Sequence, residues 1–148
     1  MEETFTRSSR IEAPADKLRA WHFEADAFSR LNPPWEKAEV IESPGELTDG
    51  ARAVIDVGMG PFKQRWVAVH EITEDGFIDR QEEGPFVFWE HHHQFLPLSE
   101  EASELRDSIR YRLPMGWLGR IFGGPFVRRK LDRMFTYRHE ITKSALEK

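Results

Sequence analysis

The chain predicts an α+β fold: a curved antiparallel sheet of about seven strands wrapped around one long C-terminal helix, with two short helices after the first strand. Three observations carry this. Residues 37–113 fall into short alternating segments joined by brief turns rich in Gly, Pro and Asp, the pattern of an antiparallel meander. Ahead of them Phe5-Thr-Arg-Ser-Ser-Arg-Ile-Glu12 also alternates, but a helical stretch separates it from the rest. Beyond residue 117 the apolar spacing changes from two to three and four. A sheet with one apolar face must then curl over the single long helix available to cover it.

Each element has its own signal. The opening strand stops at Ala13-Pro14, and Pro14 suits the first turn of a helix, with Asp16 near its positive end. Leu18, Trp21, His22, Phe23 and Phe28 form a helical stripe that breaks near Asp26 into a second short helix. Asn32-Pro33-Pro34-Trp35 ends it, since two prolines cannot continue a helix. Strands are expected at Lys37 to Glu42, Ala51 to Val57, Phe62 to Ile72, from Phe77, at Phe86 to Leu96 and at Ser103 to Leu113. Gly58-Met-Gly-Pro61, Glu74-Asp-Gly76 and Glu82-Glu-Gly-Pro85 serve as turns. Leu118, Ile121, Phe122, Val127, Leu131, Met134, Phe135, Arg138 and Ile141 mark the terminal helix of about six turns. Gly123-Gly124-Pro125 interrupts its start, giving a short helix, a break, and a long helix with Pro125 in its first turn.

One domain, residues 1–148, accounts for this length, which is enough to bury a real core. A net charge of -5 argues against a general nucleic-acid binder. The one basic run, Arg128-Arg-Lys130 with Arg133 and Arg138, reads as a solvated helix face. With no cysteine there are no disulfides, thiolate metal sites or cysteine nucleophiles. No run approaches the roughly 20 apolar residues that span a bilayer, and Met1-Glu-Glu-Thr lacks a signal peptide's basic start. A cytoplasmic protein without an integral membrane segment is expected, as a monomer or homodimer.

The strand faces hold the informative chemistry. Successive side chains alternate, so Phe77, Asp79 and Gln81 share a face, as do Trp89, His91, His93 and Phe95. In the last strand Arg106, Ser108, Arg110 and Arg112 are plainly wet, which turns Leu105, Asp107, Ile109, Tyr111 and Leu113 inward. An acid, an amide, two histidines and a second acid are thus expected on a buried face, where each costs several kcal/mol unless paired or wetted. His92 falls on the opposite face and is expected to be solvent-facing and idle. His70 lies inward at the end of its strand, where a capping hydrogen bond is its expected use.

The order of elements resembles the helix-grip fold of the START-like (SRPBCC) superfamily. Ser9-Arg-Ile-Glu-Ala-Pro14 resembles its opening, and Ala27-Phe-Ser-Arg-Leu-Asn-Pro-Pro-Trp35 its second helix and exit. Asp79-x-Gln81-x-x-Gly84-Pro85-Phe86-x-x-Trp89-x-His91-x-His93-x-Phe95, with Asp107 and Tyr111-x-Leu113-Pro114, resembles a bacterial polyketide cyclase/dehydrase-like, ligand-binding subgroup. The resemblance implies a cavity between sheet and helix holding a small hydrophobic or aromatic ligand. The chain departs from the superfamily at Gly123-Gly124-Pro125, where a continuous helix is the rule.

Three readings of Asp79, Gln81, His91, His93 and Asp107 stay open: a self-satisfying structural network, a polar patch that fixes a ligand, or a metal site of two histidines and an acid. In a catalytic version of the second, His91 or His93, with Asp107 among the candidates, moves a proton. The reading adopted is ligand binding without a firm catalytic role, with no metal and no cofactor. Its ligand-facing set adds Trp66, Trp89, Tyr111 and Phe135 to the five polar residues. Its cavity rim is Trp35, Phe86, Met115 and Trp117. The alternative is a cyclase/dehydrase-type enzyme, and a third class is a protein-partner module using the rim aromatics.

Overall fold

The computed structural model describes residues 2–59, 62–114 and 123–147. The expected elements form in the expected order. The strands are β1 (Glu2–Ile11), β2 (Ala38–Glu42), β3 (Arg52–Met59), β4 (Phe62–Thr73), β5 (Gly76–Glu83), β6 (Phe88–Pro97) and β7 (Ser103–Arg112). Helices α1 (Ala15–Phe23) and α2 (Ala27–Leu31) follow β1, and α3 (Gly124–Leu146) closes the chain. The expectations for Met115, Trp117, Leu118, Ile121 and Phe122, for a short helix before Gly123, and for the turn at Gly60 and Pro61 lie outside the described residues.

All seven strands make one antiparallel sheet in the order β1-β7-β6-β5-β4-β3-β2. The first strand closes against the last because β1 and β7 pair along their whole length, from Glu2↔Arg112 to Ile11↔Ser103. The sheet curves and α3 fills its concave side, giving the helix-grip α+β fold. Helix α3 runs 23 residues with Pro125 in its first turn and Gly123 at its N-cap. The Gly-Gly-Pro stretch is therefore the helix start, where proline's missing N–H costs nothing.

Burial follows the alternation closely. In β6, Trp89, His91, His93 and Phe95 are buried, and in β7 so are Leu105, Asp107, Ile109 and Tyr111. The convex face carries a ladder of ion pairs instead: Arg80 bridges Glu71 and Glu90, and Arg110 bridges Glu90 and Glu2. Exposed pairs like these contribute little individually, but they keep this face wet.

The core divides into two apolar clusters. The first contains Ile11, Leu18, Phe77, Phe95, Leu105 and Leu146, with Trp21 and Phe23 from α1 packed against it. The second contains Phe5, Trp89, Ile109, Tyr111, Leu131 and Phe135, with Trp66 and Phe86 alongside. Between them runs a belt of buried polar side chains.

Candidate functional site

The belt is built by strand register. Hairpin β5–β6 sets Asp79 opposite His91 and Phe77 opposite His93, while β6–β7 sets His93 opposite Asp107. Gly76 makes this register possible, because a Cβ there would collide with the backbone carbonyl of His93. Each histidine nevertheless bonds the carboxylate diagonal to it. His91 donates from Nε2 to Asp107 Oδ1 at 2.7 Å, with its Nδ1 3.5 Å from Asp79 Oδ2. His93 donates from Nε2 to Asp79 Oδ2 at 2.6 Å, with its Nδ1 3.4 Å from Asp107 Oδ1. The two rings stack at 3.6 Å between centroids, and Phe77 stacks on the far side of His93 at 4.0 Å.

A third histidine arrives from α3. His139, 2% exposed, donates from Nε2 to Asp107 Oδ2 at 2.7 Å and accepts from the Ser9 hydroxyl at Nδ1, also at 2.7 Å. Both oxygens of Asp107 are thereby engaged. Sequence reading passed over His139, although its spacing of four from Phe135 placed it on the apolar stripe of α3; an inward strand acid with more acceptor capacity than His91 could fill was the available signal. Arg138, counted in the solvated basic face, is instead drawn inward beside the belt, and burial lowers its pKa against the opposing pull of Asp107 and Asp79.

Electrostatics fix the protonation states. Burial opposes charge on Asp79, but the His93 hydrogen bond and the His91 imidazole outweigh it and hold the carboxyl below its usual range. Burial likewise opposes Asp107, and hydrogen bonds from His139 and His91 hold it well below that range. Burial, reinforced by His91, pushes His93 down to about 3. Ionised aspartates therefore face a neutral His93 near neutral pH. Chemically, the cluster can exchange a proton between imidazole and carboxylate, anchor a polar ligand group, or offer nitrogen and oxygen donors to a cation.

The remaining candidates separate into those near the belt and those apart from it. Gln81 does not join the belt: its amide donates to the Phe86 carbonyl (2.8 Å) and accepts from the Phe86 N–H (3.1 Å), closing the Gly84-Pro85 turn. A Cβ on Gly84 would strike that amide oxygen, so a larger residue there would displace the Gln81 amide from Phe86. Phe86, expected at a rim, is folded into the second cluster, with Trp66 at 5.7 Å, Trp89 at 4.8 Å and Tyr111 at 5.7 Å. Phe135 sits edge-on to His91 at 5.2 Å and joins belt to cluster. Trp35 is 45% exposed and packs on Tyr137 and Arg133 of α3. His70 makes the expected hydrogen bond, from Nδ1 to the Ala51 carbonyl at 2.9 Å. His92 is not idle: it is half-buried, with Nε2 3.4 Å from Asp75 Oδ1.

One polar tip in the second cluster is left over: Trp89 Nε1 is buried without a hydrogen-bond partner among the described residues, whereas the Tyr111 hydroxyl lies by the Glu3 carboxylate. Burial, with the Glu3 carboxylate nearby, raises the Tyr111 pKa.

Residues 11–135, spanning β2 to β7 with Asp79, His91, His93 and Asp107, and half of α3, match the family described as polyketide cyclase / dehydrase and lipid transport. The chain belongs to that family. Its fold is shared by solved structures of low sequence identity. A START superfamily protein from Mycobacterium smegmatis is 13% identical, with a TM-score of 0.71 and 97% of each chain covered. The ZhuI aromatase/cyclase from Streptomyces sp. R1128 is 16% identical, with a TM-score of 0.73 over 99% of this chain and 94% of that one. Norcoclaurine synthase from Thalictrum flavum, in complex with dopamine and hydroxybenzaldehyde, is 16% identical, with a TM-score of 0.68 over 99% and 88%. No curated protein matches the sequence. Family membership thus agrees with the fold and leaves the chemistry to the residues of the belt and the aromatic cluster.

Proposed function

We propose that the protein binds a small hydrophobic or aromatic ligand at the Trp66, Phe86, Trp89 and Tyr111 end of the space between sheet and α3, with no firm catalytic role. The unpartnered Trp89 indole carries this reading. It is a donor-only group, buried, with Trp66 at 5.0 Å and Phe86 at 4.8 Å. Such an orphaned donor costs about 1–3 kcal/mol, and a ligand acceptor at Nε1 recovers it. The Tyr111 hydroxyl offers a second anchor, and Phe135 an apolar wall. Sparse polar tips in an aromatic surround are how small-molecule sites fix orientation. The belt of Asp79, His91, His93 and Asp107 bounds this end of the space, and Gln81 orders the turn that carries Phe86. The aromatic ligands of norcoclaurine synthase agree with the ligand class. With this reading goes the expectation of a cytoplasmic monomer or homodimer that handles a small molecule rather than nucleic acid. Among the described residues no helix is long and apolar enough to cross a membrane.

A cyclase/dehydrase-type enzyme is the second reading. One observation favours it: the His93–Asp79 pair, at 2.6 Å and partly open to solvent, has the geometry of an oriented acid/base. Displacement of 1-anilinonaphthalene-8-sulfonate by aromatic compounds, with native mass spectrometry for retained molecules, tests the binding reading. Trp89→Phe is expected to keep the fold and weaken ligand binding by about 2- to 13-fold, the worth of one hydrogen bond. Absence of both dye binding and retained ligand overturns the proposal.

A further inference from the structure

We propose that Asp79, His91 and His93 form a binding site for a borderline first-row divalent cation such as Zn(II), Fe(II) or Co(II). The three side chains bring one donor atom each within 4.8 Å of one another. Bonds of about 2.0–2.2 Å to a shared ion require donors gathered this closely. Two imidazole nitrogens and one carboxylate oxygen suit a borderline ion, whereas calcium and magnesium favour oxygen alone.

The orientation of the rings sharpens the assignment. His91 points Nε2 at Asp107 Oδ1 and Nδ1 at Asp79 Oδ2. His93 is turned the other way, with Nδ1 toward Asp107 Oδ1 and Nε2 toward Asp79 Oδ2. Asp107 therefore stands behind both rings, the place of the carboxylate that orients metal-bound histidines. Nδ1 of His91 and Nε2 of His93 converge on the same oxygen of Asp79. His139 holds the other oxygen of Asp107 and is itself held by Ser9, which fixes that carboxylate in position. When a cation binds, the His93 proton moves from Nε2 to Nδ1, where Asp107 accepts it. The imidazole then ligates in its neutral form, and no proton is lost overall.

The surrounding charges are mixed. Asp79 and Asp107 together match a dication, while the Arg138 guanidinium reaching in from α3 works against it. His70, opposite Asp79 on β4, has its Nδ1 committed to the Ala51 carbonyl and is left out of the ligand set.

The site is independent of any organic ligand, so the test uses metal alone. Tag-free full-length protein stripped with EDTA is titrated with Co(II), followed by visible absorption, and with Zn(II), followed by calorimetry. One Co(II) per chain is expected, with bands of four- or five-coordinate Co(II) that Zn(II) abolishes. Asp79→Asn and His93→Gln, verified as folded by circular dichroism, are expected to weaken Co(II) binding at least about tenfold, since losing a ligand exceeds the loss of an outer partner. His92→Gln leaves binding unchanged. Where those two variants fail to fold, nitrogen NMR of the wild-type histidine rings decides, with Co(II) perturbing His91 and His93. Folded wild-type protein that takes up no stoichiometric Co(II) or Zn(II), or uptake that perturbs only His92 and is lost in His92→Gln, overturns the proposal.

Discussion

The two apolar clusters sit on one sheet, on either side of one polar belt, and are equally well buried, yet they are finished differently. The first is made of aliphatic and phenyl groups, and the polar side chain set beside it is satisfied: His22 donates from Nδ1 to the Leu18 carbonyl at 3.0 Å and packs on Phe95. The second carries Trp89, whose Nε1 has no hydrogen-bond partner among the described residues, and Tyr111, whose hydroxyl lies by the Glu3 carboxylate. The difference separates a cluster whose polar neighbour is satisfied within the fold from one that keeps an unpaired indole donor among the described residues.

The sharpest break strikes the belt between them. Asp107→Asn removes the charge that fixes His91 and His139, and unfolding free energy is expected to fall by about 3–5 kcal/mol in a urea titration. A loss under 1 kcal/mol means that the belt is held by packing rather than by charge. The clusters themselves come next. Leu105→Ala in the first leaves a cavity at a fully buried site and is expected to cost about 2–5 kcal/mol. Tyr111→Phe in the second removes the hydroxyl beside Glu3 while keeping the ring, and is expected to cost no more than about 1.5 kcal/mol, the net worth of one hydrogen bond. Equal losses in the two variants erase the distinction between the clusters.

Acid supplies a graded probe of the first cluster. Burial holds His22 neutral, lowering its pKa from 6.5 to about 4. A group with a depressed folded pKa stabilises the fold fully above pH 6.5, and that contribution is lost as pH falls through 4. It amounts to roughly 3 kcal/mol at most. The low pKa of Asp79 and of Asp107 acts in the same direction at lower pH. His22→Phe is expected to flatten the fall in unfolding free energy between pH 6.5 and 4, read from urea titrations across that range. An unchanged slope removes His22 as its cause.

Most of the architecture was legible because it rests on periodicity and turn chemistry. Pro14 and the Asn32-Pro-Pro stretch marked the helix ends, and the short turns fixed an antiparallel meander. The boundaries shifted by up to three residues: β1 begins at Glu2 rather than Phe5, and β6 begins at Phe88 rather than Phe86, because Phe86 is bound to Gln81 through its backbone. The inward set of β6 and β7 was read correctly from alternation alone. Gln81 and His92 were not. Alternation placed each on its face but could not show that Gln81 would close a local turn or that His92 would find Asp75.

The sequence by itself determined the fold class, the family and the polar face shared by Asp79, His91, His93 and Asp107, because a two-residue period assigns a side and leaves no freedom in it. Only the tertiary structure decided which partners met. The register and twist of neighbouring strands made each histidine reach the diagonal carboxylate instead of the opposite one. The docking of α3 brought His139 to an acid 32 residues away in sequence. Contacts of that kind depend on how a helix seats in a curved sheet, a property of the assembled fold that no local pattern encodes.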